Sequence, residues 1–236
     1  MGVDDITTIN NEKNIKYIAA FPCFNVEDSI GDLVRRAQKH VDMVVVVDDG
    51  SSDNTGRIAK ENGALVVQHK INQGYGSAIN SCLLEAKANN AVVLVILDGD
   101  GQHNPDDIPL LLYPIINGEA DLAIGSRSFR NNKTMPNYRK FGILIISFLW
   151  NFGSKKKVND TQSGFRSYNG SLIEGLSLHE KGMSVSIEIL EQARRKDAVI
   201  KEVTISCFYG RRTFGLKALK QGIVVALSVV RIRLGR

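Results

Sequence analysis

The sequence predicts an α/β fold built on a doubly wound, Rossmann-like sheet with helices on both faces. Three observations predict it. Short β-branched runs recur along the first half of the chain with amphipathic segments between them, the alternation expected of strands joined by crossover helices and of a parallel sheet covered on both sides. The carboxyl ends of those runs carry polar and acidic residues, where open α/β sheets bind their ligands. No internal repeat or low-complexity linker divides the 236 residues, so a single domain is expected.

Taken in order, a loose polar tail runs to about Asn14. Strand-like segments follow at 17–22 (YIAAFP), 43–49 (MVVVVDD), 64–68 (ALVVQ), 92–98 (VVLVILD) and 121–126 (DLAIGS), so residues about 15–126 read as a doubly wound unit. Between the second and third, SSDNTGRIAKENG opens with Ser and Asp as helix caps and closes at Gly63, the marks of a crossover helix. Beyond Arg127 the pattern changes to a basic, Asn-rich loop at 130–139, an apolar helix at 141–153 and a polar segment, KKKVNDTQSGFRSYNG. A helix around 184–195 and a last strand at 199–208 follow within the same domain, to about residue 217. Residues 218–236 read as a C-terminal amphipathic, interfacial helix, because Lys220, Arg231, Arg233 and Arg236 punctuate an apolar stretch too short to span a bilayer.

The formal net charge of +5 suits a polyanionic ligand, a nucleic acid or an acidic membrane surface. Nucleic acid is disfavoured because no reading helix or aromatic platform is recognisable. The three cysteines, Cys23, Cys82 and Cys207, are odd in number and lack CxxC spacing. They read as small buried hydrophobes in a reducing compartment, not as a disulfide framework or a zinc site. The acidic N-terminus has no apolar signal region, and Ile6 stands where a myristoylation signal needs Ser or Thr. A cytoplasmic location is therefore expected, and the sequons at Asn132, Asn159 and Asn169 carry little weight.

The most informative stretch is VILDGDGQHNP, residues 95–105. Asp98 and Asp100 leave the end of a buried strand together, and with the Gln102 amide they form a hard oxygen set suited to Mg²⁺ or Mn²⁺. An Asp/Gly turn is the plain rival. An EF-hand fails, because His103 stands where that loop needs Gly and Pro109 where it needs Glu. Asp48 and Asp49 end a neighbouring strand and add carboxylate to the same rim, which favours the metal. Capping the next helix is work Ser51, Ser52 or Asp53 could also do, so Asp49 is available to accept from a base N–H. In HKINQGYGSAIN, Gly74 and Gly76 precede a helix, but Ile79 replaces the third glycine of a dinucleotide fingerprint; the glycines serve close approach to a nucleotide or a tight turn.

These motifs in order, FPCFN, VVDDGSSDNT, NQGYGSA, LDGDGQHNP, IGSR, DTQSGFRSY and KEVTI followed by basic residues, span about Tyr17 to Lys217. The chain thereby resembles a family 2 glycosyltransferase, in the branch of dolichyl-phosphate mannosyltransferase and polyprenyl-phosphate glycosyltransferases. The resemblance implies a GT-A fold with a mixed sheet, in which 15–126 is the nucleotide-binding part and 127–217 the acceptor part. It implies an inverting reaction, a nucleoside-diphosphate sugar donor and a lipid phosphate acceptor at the cytoplasmic face of a membrane. It implies a nucleotide site of Pro22, Phe24, Asn25, Glu27, Val47, Asp49, Gly76, Asp98, Gly99, Arg211 and Lys217, with Asp49 reading the base. Asp98, Asp100 and Gln102 would hold the metal, Arg127 and Arg139 would meet phosphates, and Asp160 would sit near the reacting centre. There Asp160 is either a general base, if the acceptor is a sugar hydroxyl, or an anchor of the following loop.

Two departures from the family pattern are visible: Phe24 and Val26 replace Tyr and Glu, with Glu27 one place later, and Leu216 replaces a Ser before Lys217. Arg211 or Arg212 is accordingly the expected phosphate ligand on that side. A soluble transferase acting on a hydroxyl is the alternative, and an inactive sugar-nucleotide-binding regulator is the alternative of another class.

Overall fold

The computed structural model describes residues 17–127, 137–152, 157–207, 222, 224–229 and 231, with backbone alone for 137–139. Its strands are β1 (Tyr17–Cys23), β2 (Met43–Asp48), β3 (Leu65–Gln68), β4 (Val93–Ile96), β5 (Leu122–Arg127), β6 (Arg166–Asn169) and β7 (Ile200–Ile205). The helices are α1 (Glu27–Ala37), α2 (Thr55–Glu61), α3 (Tyr75–Ala88), α4 (Ile108–Ile116), α5 (Asn137–Asn151), α6 (Gly170–Gly175) and α7 (Val185–Arg195). The strands form one sheet in the order β3-β2-β1-β4-β6-β5-β7.

Strand alternation sends Ile18 and Ala20 to one face and Ala19 and Phe21 to the other, each fully buried. On the first face α3, α5, α6 and α7 contribute to one apolar cluster; on the second, α1, α2 and α4 contribute to another. The sheet is doubly wound as expected. Val225 and Val229 join the first cluster, while Val224 and Leu227 are exposed, so the helical residues 224–229 present an apolar face on each side. Among the described residues no helix is long and apolar enough to cross a membrane.

β1 pairs in parallel with β2 and β4, and β2 with β3. β5 does not continue that parallel unit directly. β6 lies between β4 and β5, antiparallel to both, and β5 pairs in parallel with β7. The polar segment KKKVNDTQSGFRSYNG, for which the sequence predicted no strand, therefore contains an interior strand. Its first residue, Arg166, is 2 % exposed and donates to the carbonyls of Ser163, Thr161 and Ser186, at 2.9, 2.8 and 3.0 Å. Carbonyl partners supplied by other parts of the chain make a buried arginine tolerable.

Candidate active site

The carboxyl ends of β1, β2, β4 and β5 converge on one rim. At the end of β1 the chain turns through Asn25, with φ +54°, and binds the loop after β2. The Asn25 amide donates to Ser51 Oγ at 2.9 Å, and its side-chain oxygen accepts from the Ser52 amide at 2.8 Å. Glu27 accepts from the backbone and side chain of Asn54, at 3.0 and 2.9 Å. Pro22 is buried beneath this loop, whereas Phe24 is 48 % exposed and offers a ring to a ligand. Asn25 and Glu27 thus brace the rim by fastening two loops. Gly99 closes the same corner, its carbonyl accepting from Ser29 Oγ at 2.7 Å.

Two residues expected at the nucleotide do other work. Val47 is fully buried, inside the cluster beneath α3, because its place in β2 turns it to the sheet face and away from the rim. Gly76 donates its amide to the Lys181 carbonyl at 2.8 Å, and a Cβ at position 76 would lie 2.0 Å from the Glu180 carbonyl oxygen. The close backbone approach expected there is to the 180–181 loop. That loop is itself pinned, since the amides of His179 and Glu180 donate to the Glu188 carboxylate.

Asp49 also differs from expectation. Its carboxylate is 3 % exposed and accepts from the amides of Gln73 and Gly74, both at 2.9 Å. His69 Nδ1 lies 2.6 Å from the same carboxylate, and His69 Nε2 lies 2.9 Å from Ser81 Oγ. The visible role of Asp49 is to hold the 69–74 loop in front of α3, not to present a bare acceptor to a base. Just before the next helix, Asp53 accepts from the Thr55 amide and hydroxyl, at 2.9 and 2.6 Å.

The acidic knot follows the end of β4. Asp98 is half-buried and accepts from the Tyr75 hydroxyl at 2.9 Å; Asp100 accepts from the Gln102 backbone amide at 3.0 Å and side-chain amide at 2.6 Å. Although Asp100 as a residue is exposed, withdrawal of its carboxyl from water raises its pKa, and the Asp98 charge adds to the rise. His103, which sequence reasoning left without a role, is 4 % exposed. Its Nδ1 has no hydrogen-bond partner among the described residues and lies 3.8 Å from Asp98. Burial lowers the His103 pKa, and its charged neighbours are Asp98, Arg127, Asp100 and Asp160. One imidazole therefore stands between the acidic knot and the Arg127 centre.

The residues present fit a divalent cation in the chemistry of their donors. Two adjacent carboxylates and the oxygen of a side-chain amide are a hard set, and their like charges are unrelieved by a lysine or arginine in the hydrogen bonds above. Among the described residues no group of three or more His, Cys, Asp or Glu side chains is gathered for a metal. The knot suits an ion that draws further ligands from phosphate and water, as Mg²⁺ and Mn²⁺ do.

Asp160, expected either as a general base or as an anchor of the following loop, is paired with Arg127. It is fully buried and grips Arg127 in a bidentate pair, with Nε and Nη2 each 2.6 Å from a carboxylate oxygen and the Arg127 amide at 3.1 Å. Both groups are ordered from outside. The Asp160 amide donates to Glu202 on β7 at 2.9 Å, and Ser147 of α5 donates to the Asn159 carbonyl at 2.9 Å. The pair fixes the guanidinium plane at the end of β5. Tyr75, His69, Gly164, Glu188 and Glu202 were missed as site-building residues. All but Glu188 lay inside stretches singled out in the sequence: His69 and Tyr75 in HKINQGYGSAIN, Gly164 in DTQSGFRSY and Glu202 in KEVTI. The Arg139 side chain, Arg211, Arg212 and Lys217 lie outside the described residues.

A doubly wound mixed sheet with carboxylates at the end of β4 and a carboxylate-locked arginine at the end of β5 defines a GT-A glycosyltransferase. The Glycosyl transferase family 2 model matches residues 19–175, and the chain belongs to that family. It is 34 % identical over 210 residues to the UDP-N-acetylglucosamine–dolichyl-phosphate N-acetylglucosaminyltransferase of Methanococcus voltae, covering 80 % of this chain and 84 % of the relative. It is 29 % identical over 211 residues to the dolichyl-phosphate hexose transferase of Haloferax volcanii, covering 89 % and 90 %. Among solved structures, glucosyl-3-phosphoglycerate synthase from Mycobacterium tuberculosis in complex with Mn²⁺, uridine-diphosphate-glucose and phosphoglyceric acid superposes with a TM-score of 0.71. That match has 20 % identity and covers 92 % of this chain and 79 % of the other, a likeness of fold.

Proposed function

We propose that the protein transfers a hexose or N-acetylhexosamine from a nucleoside-diphosphate sugar to the phosphate of a dolichyl or polyprenyl lipid, with Mg²⁺ or Mn²⁺ held by Asp98, Asp100 and Gln102. The observation that carries the choice of acceptor is the pairing of Asp160 with Arg127. A hydroxyl acceptor needs a general base, and the carboxylate the sequence offered for that work is enclosed. A lipid phosphate brings an oxygen that is already anionic and requires only charge and position. The printed names of the Methanococcus voltae and Haloferax volcanii relatives support the same acceptor.

In this reading a lipid phosphate oxygen attacks the anomeric carbon from the face opposite the diphosphate. The new C–O bond forms as the bond to the departing nucleoside diphosphate breaks, and the configuration inverts. When bound, the divalent cation supplies positive charge to that diphosphate. Arg127, held flat by Asp160, directs fixed positive charge at the phosphates, which costs no reorganisation during the reaction. Arg139, with Arg211 and Lys217, adds to that charge, and Phe24 packs on the nucleotide.

A membrane surface is supported by α5. Phe141, Leu144, Ile145, Phe148 and Phe152 are exposed along one side, while Ile143, Ile146, Ser147 and Trp150 are buried on the other. Lys140 lies in the first turn of the helix and Lys157 follows its end, so its outer face matches an anionic bilayer in both apolarity and charge. The buried Ser147 on the same helix fastens the Asp160 loop, which would bring an acceptor headgroup near Arg127. The protein would then act as a peripheral enzyme on the cytoplasmic face.

The test is to incubate the protein with a panel of nucleotide sugars, Mg²⁺ or Mn²⁺ and a short polyprenyl phosphate, and to count label extracted into organic solvent. Asp100→Asn is expected to lower transfer by about 10²–10³-fold, the usual loss when transition-state charge stabilisation is removed; full transfer by this variant would sink the metal assignment. On vesicles containing anionic lipid, the double substitution Phe148→Glu and Phe152→Glu is expected to reduce flotation at least about tenfold, from the loss of two buried aromatic side chains. Equal flotation of the variant and the wild type would remove α5 from the membrane surface.

A further inference from the structure

We propose that Tyr75 is a positioning residue of the divalent-metal site, acting through its hydrogen bond to Asp98. This deepens the proposed function and rests on its assignment of Asp98 as a metal ligand. The Tyr75 hydroxyl donates to Asp98 Oδ1 at 2.9 Å. A phenol is protonated at neutral pH, so the hydroxyl is available as a donor to the carboxylate. A carboxylate with one oxygen committed to a fixed donor has its rotation about the last side-chain bond removed. Outer partners of this kind set the orientation and basicity of a metal ligand.

The phenol is fixed from both directions along the chain. Before it, the amides of Gln73 and Gly74 are held by the Asp49 carboxylate. Gly74 has φ +100°, a backbone conformation that favours glycine. After it, the Gly76 amide is held by the Lys181 carbonyl at 2.8 Å. The ring itself packs against the apolar cluster beneath α3. Tyr75 therefore opens α3 with its hydroxyl delivered to Asp98 by contacts that do not involve Asp98, so its place is set before any metal arrives. The same contacts make Asp49 a remote support of the metal site, joined to it through residues 73–75.

The experiment is a titration of Mn²⁺ in the presence of UDP and, separately, of GDP, following free Mn²⁺ by electron paramagnetic resonance, on the full chain and on Tyr75→Phe. The substitution keeps the packed ring and removes only the hydroxyl; circular dichroism and thermal melting check the fold. Tyr75→Phe is expected to bind Mn²⁺ about tenfold more weakly, at the lower end of the effect of losing an outer partner. Its transfer rate is expected to recover towards the wild-type value at saturating Mn²⁺, a loss in metal affinity and not in turnover. Unchanged Mn²⁺ affinity in Tyr75→Phe, or a rate defect that persists at saturating metal, overturns the role of Tyr75. If wild type binds Mn²⁺ and Asp100→Asn does not, such a result leaves the metal assignment standing. If wild type binds no Mn²⁺ with either nucleotide, both fall.

Discussion

Asp160→Ala is expected to lose about 3–5 kcal/mol of folding stability, the cost of breaking a buried ion pair and leaving one charge unpaired. Transfer is expected to fall by about 10²–10³-fold, because the guanidinium it aims is then free to swing. The two losses belong together. Asp160 has no exposed surface, receives both arms of the Arg127 fork and the Arg127 amide, and is tied through its own amide to Glu202. A general base at this position would behave differently: its removal would abolish transfer, leave stability nearly unchanged and flatten the acidic limb of the pH–rate profile. Urea denaturation of the variant beside a transfer assay separates the two roles. Wild-type stability with abolished transfer would restore Asp160 to the chemistry and remove the argument for an anionic acceptor.

Gly164→Ala is expected to damage the site while sparing the fold. A Cβ at position 164 would lie 2.4 Å from Asp98 Oδ2 and 2.7 Å from Oδ1, closer than non-bonded carbon and oxygen atoms tolerate. What must yield is the end of an aspartate side chain, so the stability cost is expected at the lower end of the about 1–3 kcal/mol of overpacking. The moved carboxylate, however, loses its alignment with Tyr75 and with the metal position. Mn²⁺ affinity in the presence of UDP or GDP is expected to fall about 10–100-fold, as when the supports of a metal ligand are lost, and transfer to fall with it. Calorimetric titration alongside thermal melting provides the check. A variant that binds Mn²⁺ as wild type does would mean that Asp98 is not a ligand, or that its carboxylate has a second workable position.

Much of this site is legible in one dimension because its acids stand at strand ends. β-branched runs mark β1, β2 and β4, and the residues that follow a buried run must emerge at the rim; that is sufficient to bring Asp98 and Asp100 to the place where ligands bind. The same reasoning fails for Val47, one residue short of the rim, where alternation turns the side chain into the core. It also fails for β6, where RSYN has neither the length nor the apolar run of a strand. That segment becomes one because β4 and β5 offer unpaired edges on both sides and because backbone carbonyls absorb the charge of Arg166.

Sequence by itself determined the fold class and which carboxylates stand at strand ends, since each follows from local periodicity and from which residues end a strand. Tertiary structure alone decided what the carboxylates do. Asp49 is spent on amides 24 and 25 residues away, and Asp160 on an arginine 33 residues away. A carboxylate is a base, a metal ligand or an anchor according to the donors that reach it and the water that remains beside it. Donors arriving from distant parts of the chain leave no periodicity to read; they exist only once the sheet has brought β5, β7, α3 and α5 around the same few ångströms.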